Sequence, residues 1–275
     1  MKPEKNTVLV RRHAVITRLT HWINVICLGV LLLSGLQIFN AWPSLYWDQY
    51  GADGDPAFLS IGASRAHGEL RGYLRVGHAE VATTGVLGVS RVAGQGTERA
   101  FPAWLTLPSF QDLAAGRRWH FFFAWAFACN GAVYLLYSVM SGHWRRDLVP
   151  HRAELAPRHL WQEIVAHARL RFPEGHAARR YNVLQKLSYL GVAAVLLPLM
   201  VLTGLTMSPG MNAVAPFLLD LFGGRQSART LHFITASLVV LFVLVHLAMV
   251  LLSGVWNNLR SMITGRYAIE TSHHD

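Results

Sequence analysis

Charge is scarce in this sequence. Asp, Glu, Lys and Arg make up 15% of its 275 residues, while hydrophobic residues make up 52%. That balance leaves too little polar surface for an ordinary soluble domain and points to a membrane protein. Cysteine is scarcer still. Cys27 and Cys129 each stand alone inside an apolar run, where small thiols pack rather than react. No C-x-x-C-H occurs, so covalently attached haem is not indicated. Repeats and low-complexity segments are also lacking.

The charge that remains is basic, formally +10, which fits either nucleic acid or cytoplasmic loops beside membrane helices. Its placement decides between them. Four long uncharged runs, Leu19 to Trp47, Trp119 to Trp144, Leu187 to Leu219 and Thr230 to Leu259, each exceed the roughly 20 residues that cross a hydrocarbon core. Transmembrane helices are expected near 18–40, 119–141, 185–207 and 229–253. The first run is too long for a signal peptide's apolar region and should stay. Sixteen Lys and Arg fall in the N-terminal tail, the 142–184 region with Lys186, and the C-terminal tail, against nine on the other side. Both termini and 142–184 are therefore expected in the cytoplasm, with 42–118 outside. Because the basic excess flanks membrane runs, a nucleic-acid partner is set aside.

Residues 42–118 are too long for a simple connection and are expected to be folded or functional. "GYLRVGHAEVATTGVLGVS" alternates enough to predict a short hairpin. In "FPAWLTLPSF", Trp104, Leu105, Leu107 and Phe110 either fold back, rest on the bilayer or dock a partner. On the other side, "PRHLWQEIVAHARLRF" carries Pro157 at a first helical position and apolar residues at helical spacing. It is read as a short amphipathic helix, at the interface or on the end of the bundle.

The fourth run contains His232 and His246. Ionisable rings are costly in hydrocarbon and usually mark function there. Fourteen residues place them about 21 Å apart along a helix and about 40° apart around it, on one face at two depths. Helix one enters from the cytoplasm with His21 near its start; helix two enters from outside with His120 near its start. Topology thus sorts the four into an inner pair, His21 with His246, and an outer pair, His120 with His232. A single buried histidine often only bonds a neighbouring hydroxyl or carbonyl, but two on one face ask for more.

Three of these histidines follow an arginine by three residues, in "RLTH", "RRWH" and "RTLH". Arg18, Arg117 and Arg229 each lie one turn nearer water on the histidine's face. They either flank the span or bind carboxylates while reaching the interface. Haem uses both features, axial imidazoles within and cations for its propionates at the edge. A bare metal would prefer tighter clusters with acidic or thiolate ligands.

The whole resembles the bacterial di-haem cytochrome b family, also called the prokaryotic cytochrome b561 or nickel-iron hydrogenase cytochrome b family. The resemblance rests on "RLTHW", "RRWHFFFAW", "LTGL" and the paired histidines of helix four. It implies an all-α integral membrane protein, a single domain over 1–275. The implied fold is a four-helix haem-binding bundle, here with a long extracytoplasmic insertion between helices one and two. It also implies two b haems, ligated in the pairs that topology gave, and a quinone site near the inner haem, where Asn182, Gln185 and Lys186 open helix three. Those three serve equally well as a helix start facing headgroups. The long 42–118 loop, "YNVLQK" and "GRQSARTLHF" look like the thiosulfate reductase cytochrome b subgroup, whose association with molybdenum enzymes implies a periplasmic molybdoenzyme-like partner.

The expected function is therefore electron transfer between that partner and the quinone pool, across the lipid bilayer. A stand-alone superoxide or ferric oxidoreductase coupled to quinone is the alternative. A haem-free anchor or transporter with histidine proton relays is a third reading. His13, His143, His151, His159, His167 and His176 are expected to be solvated, His67 and His78 to have surface roles, and His273 and His274 to be disordered.

Overall fold

The computed structural model describes residues 6–51, 54–66, 68–92, 94–169 and 182–271. The expectations for His67, His176, His273 and His274, and for several basic residues between 170 and 181, lie outside those residues. Four helices are long and apolar enough to cross a membrane. They are α1 (Val15–Phe39), α2 (Leu113–Met140), a composite over Val183–Thr206 and α8 (Arg225–Leu252). Each starts before its apolar run, so Arg18, Arg117 and Arg229 are helical residues rather than flanks.

The third crossing joins α4 (Val183–Gly191) to α5 (Leu197–Thr206) through a π turn at Val192–Leu196. Pro198 lies two residues beyond that turn, and its missing N–H and ring favour such a local widening. The surface pattern is inverted relative to a soluble protein. Ile26, Phe122, Leu136 and Leu251 are more than 60% exposed, while Ser34, Ser138, Thr203, Thr206 and Thr230 are fully buried. Lipid takes the apolar side chains outward, and small hydroxyl residues let helices approach closely. Many of these hydroxyls donate to a carbonyl one turn back, as Thr206 does to Leu202 and Thr235 to Leu231.

Contacts divide the chain into two compact units. One comprises residues up to Ile23, Asn130–Pro198 and Leu238 onward. It holds α3 (Pro157–Ala168), α9 (Val255–Thr264) and an antiparallel pair of strands, β1 (Asn6–Arg11) and β8 (Arg266–Thr271), with Val8 opposite Ile269. The strand pair joins the two tails, which the sequence reading left without structure. The Asn257 side chain ties α9 to β8 by donating to the Ala268 carbonyl and accepting from its N–H, both at 2.9 Å. The amphipathic α3 begins at Pro157, with Trp161 exposed.

The second unit, Asn24–Cys129 with Leu199–Ser237, corrects the all-α expectation. Its segment between α1 and α2 forms a four-stranded antiparallel sheet in the order β2-β3-β4-β5 and a separate hairpin, β6–β7. The strands are β2 (Ser44–Leu45), β3 (Leu59–Ala66), β4 (Glu69–Val76), β5 (Ala79–Ala82), β6 (Val89–Val92) and β7 (Gln95–Glu98). The expected hairpin is there as β4–β5, turning at Gly77. Leu45, Ile61 and Ala100 pack with Phe39 of α1 and Phe233 of α8, so the sheet shares a core with the helix ends. Gly88 has φ +80°, and a Cβ there would meet the Gly62 carbonyl oxygen at 2.2 Å, so only glycine fits.

Two short helices, α6 (Pro209–Val214) and α7 (Phe217–Phe222), lead into α8. The segment around Asp48 closes the α8 N-terminus: its carbonyl accepts from the N–H groups of Gln226 (3.1 Å) and Ser227 (3.0 Å). Those donors have no partner within the helix.

Candidate functional site

In the second unit, α2 carries His120 and α8 carries His232, with ring centroids 6.4 Å apart and planes inclined at 63°. Each ring is held from another helix. Ser34 Oγ of α1 lies 3.1 Å from His120 Nδ1, and Thr203 Oγ1 of α5 lies 2.9 Å from His232 Nδ1. Both hydroxyls already donate at 2.6 Å to carbonyls one turn back, those of Val30 and Leu199. With its single proton committed, each hydroxyl can only accept from the ring, so Nδ1 carries the hydrogen and Nε2 keeps its lone pair. The next residue in each case is glycine. A Cβ at Gly35 would lie 3.3 Å from His120 Cε1, and one at Gly204 would lie 3.5 Å from His232 Cε1.

In the first unit, His21 of α1 faces His246 of α8, again with centroids 6.4 Å apart and planes at 58°. Phe242 stacks on His246, and Trp22 meets His21 edge-on. The buried His21 Nδ1 has no hydrogen-bond partner among the described residues. Trp22 Nε1 donates to the Met262 carbonyl at 3.1 Å, which ties this turn of α1 to α9.

These pairs fit haem better than a bare ion. Imidazoles each about 2 Å from one metal atom have centroids on the order of 6 Å apart. The described residues contain no group of three or more His, Cys, Asp and Glu that would cage an ion. Haem, which carries nitrogen ligands of its own, would need only two histidines from the chain.

The arginines are already engaged. Arg229 donates to the carbonyls of Ser44 (2.9 Å) and Trp42, and its guanidinium lies over Phe39. Arg18 donates to the Ile263 carbonyl, while its buried Nε has no partner. Arg117 is exposed and lies 5.5 Å over the Phe121 ring. Two of the three expected propionate cations therefore hold other parts of the chain, Arg18 the end of α9 and Arg229 the 42–44 segment, though a guanidinium's five N–H groups leave donors to spare.

The expected quinone contacts hold one another and their neighbours. Asn182 and Gln185 form a reciprocal capping box at the start of α4. Buried Lys186 donates to both Glu154 oxygens at 2.9 Å. Several histidines expected to be solvated are also held. His143 is 2.6 Å from Asp147, and His167 bonds the Glu163 carbonyl and Asn182. His13 is partly buried, and desolvation followed by the Arg12 charge lowers its pKa to about 4. Trp104 and Phe110 project from their loop, 78% and 63% exposed, while Leu105 and Leu107 are half-buried.

The sequence reading missed Ser34, Gly35, Thr203 and Gly204 as groups in contact with the rings. A signal for them existed: "LSGL" at 33–36 repeats as "LTGL" at 202–205. It also missed Arg99, 4% exposed, which donates to Gln37, Thr106 and the Ser109 carbonyl and fastens the segment between α1 and α2 to α1.

Residues 12–265 match the family model described as prokaryotic cytochrome b561. The chain is 28% identical over 251 residues to a protein of Azospira oryzae named as a putative protein-methionine-sulfoxide reductase subunit, YedZ1; the match covers 90% of this chain and 93% of that one. No solved structure matches. The family implies haem b and a multi-pass membrane electron-transfer subunit. With four apolar helices and the family match running through all of them, the chain belongs to the prokaryotic cytochrome b561 family.

Proposed function

We propose that the chain binds two b haems, one through His21 and His246 and the other through His120 and His232, and carries electrons between the quinone pool and an extracytoplasmic oxidoreductase. Repetition is the observation that carries the reading: two imidazole pairs, each with one member on α8, have the same 6.4 Å centroid separation. Bound haem would supply one-electron redox chemistry, held by the imidazoles of these four histidines. The chain's own part is to seat the rings, exclude water with its apolar helices and present cations at the edges. Arg18, Arg117 and Arg229 remain the proposed cations for propionate carboxylates, in addition to the bonds they make within the chain.

The name of the Azospira relative supplies a partner class, a reductase of oxidised methionine in proteins. Conversion of a sulfoxide to a thioether and water takes up two electrons and two protons, so electrons run from quinol through the chain to the partner. By the family resemblance, that partner contains molybdenum. The excess of Lys and Arg in the tails and the 142–184 segment supports cytoplasmic termini in a bacterial inner membrane.

The test is spectroscopic. Protein purified in mild detergent should give a b-type reduced spectrum with two haems per chain, form no carbon monoxide adduct, and bring down its partner. One haem or none overturns the di-haem reading. Two haems with superoxide or ferric reduction by the isolated chain would instead favour the stand-alone oxidoreductase.

A further inference from the structure

We propose that Ser34–Gly35 and Thr203–Gly204 are matched positioning devices. They fix which nitrogen of His120 and His232 is free to bind metal, and they lower the reduction potential of the centre held there. The inference rests on the reading that these two histidines share a haem. It begins from a repetition that the fold turns into geometry. "LSGL" lies in α1 and "LTGL" in α5, and each presents a hydroxyl to one ring nitrogen and a glycine to the adjacent ring carbon. The distances agree closely: 3.1 and 2.9 Å from hydroxyl to Nδ1, and 3.3 and 3.5 Å from a Cβ at the glycine to Cε1.

Each hydroxyl accepts because its proton is spent on the carbonyl four residues earlier, at 2.6 Å in both helices. A ring that donates from Nδ1 is locked in the tautomer whose Nε2 can bind metal. Such donation also raises the basicity of the ligating nitrogen. A more basic ligand favours the higher oxidation state of the metal, so the bond lowers the potential. Glycine contributes by omission, since any side chain at 35 would press on the His120 ring. In the other pair, His21 Nδ1 is buried without a hydrogen-bond partner among the described residues. The two centres should therefore differ in potential, with the hydroxyl-held one lower.

The experiment is a potentiometric titration of detergent-purified full-length protein, with haem content and the paramagnetic resonance of the oxidised form measured alongside. In Ser34→Ala with Thr203→Val, one potential should rise and the other stay. Ser34→Thr with Thr203→Ser, which keep the acceptors, should return it to the wild-type value. Gly35→Ala should shift the resonance of one centre, and Gly29→Ala, where a Cβ meets nothing within 4 Å, should shift neither. If one haem is lost in the Ala/Val variant and regained in the Thr/Ser variant, the positioning role stands. Two unmoved potentials, or a loss that the conservative pair does not restore, would overturn it. His120→Ala separates this failure from failure of the parent reading. If that variant keeps both haems, the ligand assignment itself is wrong.

Discussion

His21 on α1 and His246 on α8 face each other with ring centroids 6.4 Å apart, and the buried Nδ1 of His21 has no hydrogen-bond partner among the described residues. If this pair holds one haem, His246→Ala should halve the haem-to-protein ratio and abolish quinol oxidation. The remaining haem should still be reducible by a small soluble donor. His120→Ala should also halve the ratio while leaving a centre that quinol reduces. Normal quinol turnover in His246→Ala would contradict the pairing.

Arg229 reaches the carbonyls of Trp42 and Ser44, so its first effect should be on the segment that covers the start of α8. Hydrogen bonds to a charged group contribute about 1.5–3 kcal/mol each before relaxation. Arg229→Gln should therefore lower thermal stability by about 2 kcal/mol and speed amide exchange across 42–50. Unchanged exchange there, together with loss of haem, would make propionate binding, and not loop anchoring, the role of Arg229.

The Glu154 carboxylate accepts two bonds from buried Lys186, and that bonding holds its pKa below the ordinary carboxylate value. A depressed folded pKa means that the stabilisation is complete above the unfolded value and is lost as pH falls through the folded one. The melting temperature should therefore drop on acidification below the usual carboxylate range, less steeply in Glu154→Gln. At neutral pH that variant should be less stable by about 1–2 kcal/mol, between an exposed pair and a fully buried one. Parallel acid profiles for the two proteins would show that the pair contributes nothing.

Topology offers a test independent of haem. Reporter fusions after Gly54 and after Arg152 should report opposite compartments, with Gly54 outside. The reverse result would turn the proposed electron path around.

The four long apolar helices were legible in the sequence because lipid imposes a one-dimensional rule. Four apolar runs of sufficient length are visible without any knowledge of packing. Helical periodicity and alternating direction likewise grouped four histidines into two pairs before any contact was known. Helix ends were less legible. Arg18, Arg117 and Arg229 are polar but helical, because an α-helix satisfies its own backbone and can continue into water beyond its apolar stretch.

Beyond the β4–β5 hairpin, the sheet between α1 and α2 escaped the sequence reading because strands such as "LSIGASRA" carry few β-branched residues and gain stability only by pairing. The β1–β8 ladder joins residues at opposite ends of the chain, a closure that no local pattern announces. The same holds at the site. Sequence by itself determined that imidazoles lie in apolar helices at two depths, since composition and helical rise suffice for that. Only the tertiary structure decided that Ser34 and Thr203 meet His120 and His232, that Arg18 holds the end of α9 and Arg229 the 42–44 segment, and that Lys186 faces Glu154. A hydrogen bond depends on the direction in which two separate helices present their atoms, and only packing fixes that direction.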